Sequence, residues 1–203
     1  AAAQAKARWD SIAKPLGSLG ALESAVIRMA AITGTPNVDI SKRAVVVMCA
    51  DNGVVADGVT QTGQEVTAIV AENMSTGDTS VCAMGRAAGV EIVPVDIGVA
   101  TPLHGERILQ RNIRRGTANL SQGPAMTREE AERAVLVGVE VARELCDGGV
   151  KLLGTGEMGI GNTTTSSAVA AVFLNKEPEV MTGRGAGLSS EGLVRKIHAI
   201  ERG

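Results

Sequence analysis

Three stretches of this chain are apolar without alternating. Ala44-Val45-Val46-Val47-Met48-Cys49-Ala50 is continuous and rich in β-branched residues, Glu91-Ile92-Val93-Pro94-Val95-Asp96-Ile97 is nearly so, and Val150 to Leu153 is a shorter third. A strand with one wet face alternates, whereas a continuous run marks a strand covered on both faces, as in a parallel sheet. Pro94 has no N–H to give a ladder and demotes its run towards an edge or a bulge. Between these runs the apolar period is helical. Leu19, Leu22, Val26, Met29 and Ala30 predict a helix over 19–32, after the extended Lys14-Pro15-Leu16-Gly17-Ser18. Further helices are predicted from Glu65 to Met74 and from a cap at Asp78 through Ala88. Thr127-Arg128-Glu129-Glu130 is a capping box, opening a helix with the stripe Ala131, Ala134, Val135, Val139, Ala142 and Leu145. An alanine-rich helix follows Thr165, and Ser189-Ser190-Glu191 starts a last one with Leu193, Ile197 and Ile200 on one face.

Strands alternating with helices define an α/β fold, a three-layer α/β/α arrangement around a mostly parallel sheet. The first predicted helix has no obvious place in that sheet, which divides the sequence into an N-terminal helical segment, 1–35, and a large α/β domain, 36–203. Nothing after Gly203 covers the apolar face of the last helix, so the large domain is expected to be incomplete, truncated at its C-terminal end. Residues 98–122 lack periodicity and hold five arginines or histidines, the makings of a working loop or a contact surface.

Composition narrows the function. A formal charge of −2 and a pI near 5.8 leave no basic footprint for nucleic acid, and 1% aromatic residues leave no stacking platform for single strands. No apolar run approaches membrane-spanning length. The N-terminal stretch carries Lys6, Arg8 and Asp10 and does not read as a signal peptide. Cys49, Cys82 and Cys146 are odd in number and each sits in an apolar segment, so all three are expected to be buried free thiols in a reducing cytoplasm. His104 and His198 have no metal-like spacing. No metal or cofactor is called for.

The candidate chemistry lies in Gly154-Thr155-Gly156-Glu157-Met158-Gly159-Ile160-Gly161-Asn162-Thr163-Thr164-Thr165. Strand, glycine-rich turn and helix together aim backbone N–H groups at an anion. There is no lysine for a Walker loop, and Glu157 interrupts a dinucleotide fingerprint. A carboxylate inside such a turn fits a phosphorylated sugar with chemistry at the sugar; the stretch also reads as a plain strand–helix connection. Asp51-Asn52-Gly53, after the first strand, is either a simple turn or part of the rim beyond the strand ends, where α/β sheets bind ligands. Lys196 reads as a solvated helix lysine. Arg184, between Gly183 and Gly185, is a candidate anion contact.

These segments resemble one family, the nicotinate-nucleotide–dimethylbenzimidazole phosphoribosyltransferases of cobalamin lower-ligand assembly. The resemblance is carried by Arg8 through Gly20, by Asp51-Asn52-Gly53-Val54-Val55 through Gln64-Glu65-Val66-Thr67, and by Gly116-Thr117-Ala118-Asn119 with Gly123-Pro124-Ala125-Met126-Thr127. The Gly156 to Thr164 stretch and Gly183-Arg184-Gly185 complete it, all in family order. It implies a Rossmann-like fold and transfer of ribose 5-phosphate from nicotinate mononucleotide to 5,6-dimethylbenzimidazole, with inversion at the anomeric carbon, giving α-ribazole 5′-phosphate and nicotinate. By the same resemblance Glu157 is the catalytic carboxylate. Gly156, Gly159, Gly161, Asn162, Lys196 and Arg184 hold phosphate and ribose, and Thr62, Val66, Val70 and Asp51 surround the base. Asn52 departs from the commoner histidine. The partners implied are these small molecules and a second copy in a cytoplasmic homodimer, with no nucleic acid and no membrane.

Family members run considerably further, and their general base, a glutamate, lies in the further portion, as do helices that pack with the first helix, in 1–35, into a small helical domain. The chain alone is therefore expected to be inactive or crippled. A non-catalytic binding module and one half of a split enzyme are the competing readings.

Overall fold

A computed structural model describes all of residues 1–203. The protein forms two compact units, Ala1–Ser41 and Lys42–Gly203. The first holds helices α1 (Ala2–Ser11) and α2 (Ala21–Thr33). α1 was not expected, because its Ala, Gln, Lys and Arg residues favour helix without an apolar stripe. The segment between the helices is tied down by Lys14, whose ammonium lies 2.7 Å from the Glu23 carboxylate and over the Trp9 ring. Glu23 is itself buried, and the Lys14 ammonium beside it holds its carboxyl below the usual range. Within the predicted stripe Ala30 is buried and Val26 and Met29 half-buried, while Leu19 and Leu22 stay exposed.

The second unit is built on a four-stranded, wholly parallel sheet, ordered β3-β2-β1-β4. Strand β1 (Arg43–Ala50) is central. β2 (Glu91–Gly98) lies on one side of it and β4 (Leu152–Met158) on the other, with the two-residue β3 (Leu109–Gln110) outside β2. The continuous apolarity of β1 is explained by its two covered faces. Val47 and Cys49 join Ala71, Met74 and Cys82 from helices α3 (Glu65–Thr76) and α4 (Ser80–Ala88). Ala44 and Val46 join Val137 and Val141 from helix α5 (Arg128–Asp147). Helices α6 (Asn162–Leu174), α7 (Pro178–Met181) and α8 (Ser190–Arg202) complete the unit.

Several sequence expectations change here. Pro94 lies inside β2 and β2 is not an edge. The carbonyl of Asp96 accepts from the Arg111 N–H at 2.9 Å on the β3 side. Residues two apart on a strand face the same neighbour, so the N–H that Pro94 lacks falls on that side, where β3 begins only opposite Val95. The capping box is formed as expected, but α5 buries Val137 and Val141, leaving Val135 and Val139 of the predicted stripe exposed. Thr79, not Asp78, caps α4, accepting from the Cys82 N–H, while Asp78 accepts from Thr76. Cys49 and Cys82 are buried and Cys146 is exposed, on the outer side of α5. On α8, Ala199 and Ile200 are buried, so the face expected to lie bare is partly covered, by Val54, Val59 and Leu120 among others.

The long stretch 98–122 contains β3 and a 3-10 turn, Leu120–Gln122. Its arginines are committed within the protein: Arg107 to the Ser75 carbonyl, Arg111 to Glu144, Arg114 to Glu130 at 2.9 Å, and Arg115 to the fully buried Asp96 at 3.3 Å. No helix is long and apolar enough to cross a membrane.

Candidate active site

The sheet reverses its order at β1: the backbone passes from β1 out to β2 and β3, then returns to place β4 on the other flank. Such a switch point opens a crevice beyond the carboxyl ends of the two strands concerned. β1 and β4 run in register there, Met48 opposite Glu157 and Cys49 opposite Met158. The backbone leaves β1 through Asp51-Asn52-Gly53 and leaves β4 through Gly159-Ile160-Gly161. Both turns stand on one rim.

The glycine-rich stretch is therefore not a single turn. Gly154, Gly156 and Glu157 belong to β4, and only residues 159–161 turn into α6. Glycines within a strand are commonly sites of close backbone approach. A Cβ at Gly156 would lie 3.2 Å from the Val47 side chain, so β4 sits tight on β1. Glu157 gains from this: its carboxylate rides on a strand end, not on a loop. Gly159 is hemmed in further, since a Cβ there would meet the Ala50 carbonyl oxygen at 2.2 Å. Gly159→Ala must push the two strand ends apart and is expected to destabilise the fold by about 3 kcal/mol, a loss that urea unfolding would read directly.

Gly161, with φ of 88°, is the N-cap of α6. Of the amides at this helix mouth, that of Ile160 donates to Thr67 Oγ1 (3.0 Å), Asn162 to the Gly159 carbonyl (3.0 Å) and Thr164 to the Gly161 carbonyl (2.9 Å). Those of Gly161 and Thr163 have no protein acceptor and face the end of the helix where partial positive charge collects. Lys196 reaches the same place from α8. It is 1% exposed, and its ammonium donates to Thr163 Oγ1 (2.7 Å) and the Gly183 carbonyl (3.0 Å). No carboxylate pairs with it, and burial pulls its pKa below the ordinary lysine value. Gly185 closes over it, since a Cβ there would lie 2.7 Å from Thr163 Oγ1 and 3.5 Å from the ammonium.

Glu157 completes the constellation. Asn162 Nδ2 donates to its carboxylate. Glu157 itself is exposed at the strand end; partial desolvation there pushes its pKa up to about 6, with the Asn162 hydrogen bond acting in the opposite direction. A helix mouth with free amides, an unpaired buried ammonium and a carboxylate that titrates near neutrality can hold a phosphate and stabilise a cation beside it.

A family model described as phosphoribosyltransferase matches residues 1–203. The nicotinate-nucleotide–dimethylbenzimidazole phosphoribosyltransferase of Acetivibrio thermocellus is 50% identical over 195 residues, covering 96% of this chain and 56% of that protein. Its counterpart from Thermus thermophilus is 45% identical over 98% of this chain and 60% of its own length. A crystal structure of CobT from Thermus thermophilus superposes with a TM-score of 0.94 at 45% identity, over 99% of this chain and 61% of that one. The chain belongs to the nicotinate-nucleotide–dimethylbenzimidazole phosphoribosyltransferase family. It spans rather more than half the length of these relatives.

The structure places the residues singled out from the sequence as follows. Glu157, Gly159, Gly161, Asn162 and Lys196 converge at the mouth of α6, with Gly156 one step behind on β4. Arg184 is adjacent but turned to its own loop: its guanidinium donates to the Leu188 carbonyl (2.7 Å) and Ser190 Oγ (3.1 Å), bracing the start of α8. Val66 and Val70 are half-buried on α3, Val70 against the core, and Thr62 lies exposed before that helix. Asp51 is 2% exposed; one carboxylate oxygen accepts from the Ala100 N–H at 2.8 Å and the other has no partner. Burial pushes the Cys49 thiol, one strand position short of the rim, up to about 12, which removes it as a nucleophile.

The Gly116-Thr117-Ala118-Asn119 stretch docks on Asp51-Asn52-Gly53. The Thr117 N–H donates to the Asp51 carbonyl at 3.0 Å, and Thr117 Oγ1 accepts from the Gly53 N–H at 3.0 Å. Gly53 is required by that approach, since a Cβ would lie 2.5 Å from the Ala118 carbonyl carbon. Sequence reasoning quoted Thr67, Thr163 and Thr165 within its motifs but gave them no role; they hold the Ile160 N–H, the Lys196 ammonium and the Asn52 amide respectively. For two of them the signal was a run of three threonines separated from the last turn glycine only by Asn162.

Proposed function

We propose that this chain forms the phosphoribosyl-binding part of an enzyme that transfers ribose 5-phosphate from nicotinate mononucleotide to 5,6-dimethylbenzimidazole, giving α-ribazole 5′-phosphate and nicotinate in cobalamin nucleotide-loop assembly. The observation that carries the reading is Lys196. A buried ammonium without a carboxylate is unfavourable unless an anion comes to it, and the free amides of Gly161 and Thr163 stand beside it at a helix mouth.

In this reading the 5′-phosphate lies against Lys196 and those amides, and the ribose extends towards Glu157. As the bond from the anomeric carbon to nicotinate breaks, the electron pair leaves with nicotinate and positive charge develops on the ring. The Glu157 carboxylate stabilises that charge. A benzimidazole nitrogen attacks from the opposite face, inverting the centre, and its proton passes to a base in the remaining family length. Thr62, Val66 and Val70 border the place of the flat apolar acceptor, with Asp51 at the back of the rim. The working protein is a cytoplasmic homodimer, and 1–35 forms part of its small domain.

The test is incubation with both substrates. The chain alone is expected to bind nicotinate mononucleotide but release nicotinate far more slowly than the full-length Thermus thermophilus relative. Comparable turnover would show that the catalytic set is complete within these residues, and absence of any nucleotide binding would overturn the reading.

A further inference from the structure

Asn52 is wedged beneath the glycine turn. Its Nδ2 donates to the Ile160 carbonyl at 3.0 Å, and its Oδ1 accepts from Thr165 Oγ1 at 2.9 Å. The Ile160 carbonyl sets the amide's orientation, because a flipped amide would put oxygen against oxygen, whereas the Thr165 hydroxyl can pair with either end. The Ile160–Gly161 peptide is trans, and in a trans peptide the C=O and N–H point in opposite directions. Holding the Ile160 carbonyl down onto Asn52 therefore turns the Gly161 N–H away from Asn52, and that amide has no acceptor in the protein. On the other side of Ile160, its own N–H is held by Thr67, a fully buried residue of α3. Both peptide planes flanking Ile160 are thus set by side chains from other elements, as Gly161, with its positive φ, would not set them itself.

We propose that Asn52 is a positioning residue that aims the Gly161 amide at the ligand phosphate. This rests on the phosphate-binding reading of the α6 mouth and goes beyond it by making one amide's direction depend on a side chain of the β1 exit turn. Asn52→Leu keeps the approximate volume and removes both hydrogen bonds. Nicotinate mononucleotide should then bind about tenfold more weakly, the scale of one charge-assisted hydrogen bond, while its dephosphorylated riboside binds as before. A purely structural role would weaken both alike.

The experiment is a titration of the ¹⁵N-labelled protein with inorganic phosphate, following the Gly161 and Thr163 amides. In the unaltered protein both are expected to shift downfield. In Asn52→Leu the Thr163 response should persist and the Gly161 response should be lost. Retention of the Gly161 response would overturn the role of Asn52 and leave the phosphate site standing; no response in the unaltered protein would overturn both. Should Asn52→Leu fail to fold, Asn52→Asp, which sets a carboxylate oxygen against the Ile160 carbonyl in a side chain of the same shape, must reduce the Gly161 response more than that of Thr163, and equal responses would likewise refute the proposal.

Discussion

Lys196→Met is expected to make the protein more stable and nearly unable to hold its nucleotide. The lysine is enclosed by α6, α8 and the 183–187 loop without a counter-ion. Methionine fills a similar volume without a charge to desolvate, so the substitution should stabilise the fold by roughly 1–2 kcal/mol. The two acceptors it abandons, on Thr163 and Gly183, belong to exposed residues that water can reach. Affinity for nicotinate mononucleotide should fall about a hundredfold, the scale of losing a charged hydrogen-bonding partner. Thermal unfolding and calorimetric titration on the same sample check both halves. A destabilised variant that still binds would show that the lysine is structural.

The pH dependence of Lys196 follows from the sign of its shift. Its folded pKa is below the unfolded value, so the unfolded state binds the proton more tightly. This group's cost to stability is present below its folded pKa and fades as pH rises towards 10.5. Nucleotide affinity should move the other way, declining at a less alkaline pH than an ordinary lysine would require.

Glu157→Gln carries the second large effect, on rate. In a protein of full family length that carries these residues, turnover should fall by about a hundredfold or more, the range for removing one preorganised stabiliser of developing charge. Affinity for nicotinate mononucleotide should change less than about threefold, since the carboxylate meets positive charge only as the base departs. With a folded pKa raised to about 6, Glu157 loses its charge as pH falls through 6, and turnover should fall with it. The Gln variant should lack that limb, separating it from titration of the substrate's own phosphate. For stability the sign is reversed: the folded form holds the proton more tightly than the unfolded state, so the group opposes folding increasingly as pH rises from about 4.5 to about 6. An unchanged rate in Glu157→Gln would remove this residue from the mechanism.

What the sequence made legible were features written in local pattern. The Val45-Val46-Val47 run could only be a buried strand, and Thr127 with Glu130 could only be a helix start. Features decided by tertiary contact were not legible. α5 carries two overlapping apolar sets, and contact with Ala44, Val46 and Val95 selected Val137 and Val141 over Val135 and Val139. β3 is two residues long and exists only because Val95 and Asp96 offer it a ladder. Glu157 moved from turn to strand because Gly154 and Gly156, which suggest a turn in sequence, serve here to bring β4 close to β1. The burial of Lys196 was hidden for a related reason. A lysine on a helix defaults to solvent, and only the fold brings Thr163 and the Gly183 carbonyl to it.

The central claim is that the rim between β1 and β4 grips a sugar phosphate at the mouth of α6. A crystal structure of the protein soaked with nicotinate mononucleotide tests it most directly. Phosphate oxygens are expected about 3 Å from Lys196 Nζ and from the Gly161 and Thr163 amide nitrogens, with the ribose turned towards Glu157. Nucleotide bound elsewhere on the molecule, with Lys196 still holding only Thr163 and Gly183, would contradict it.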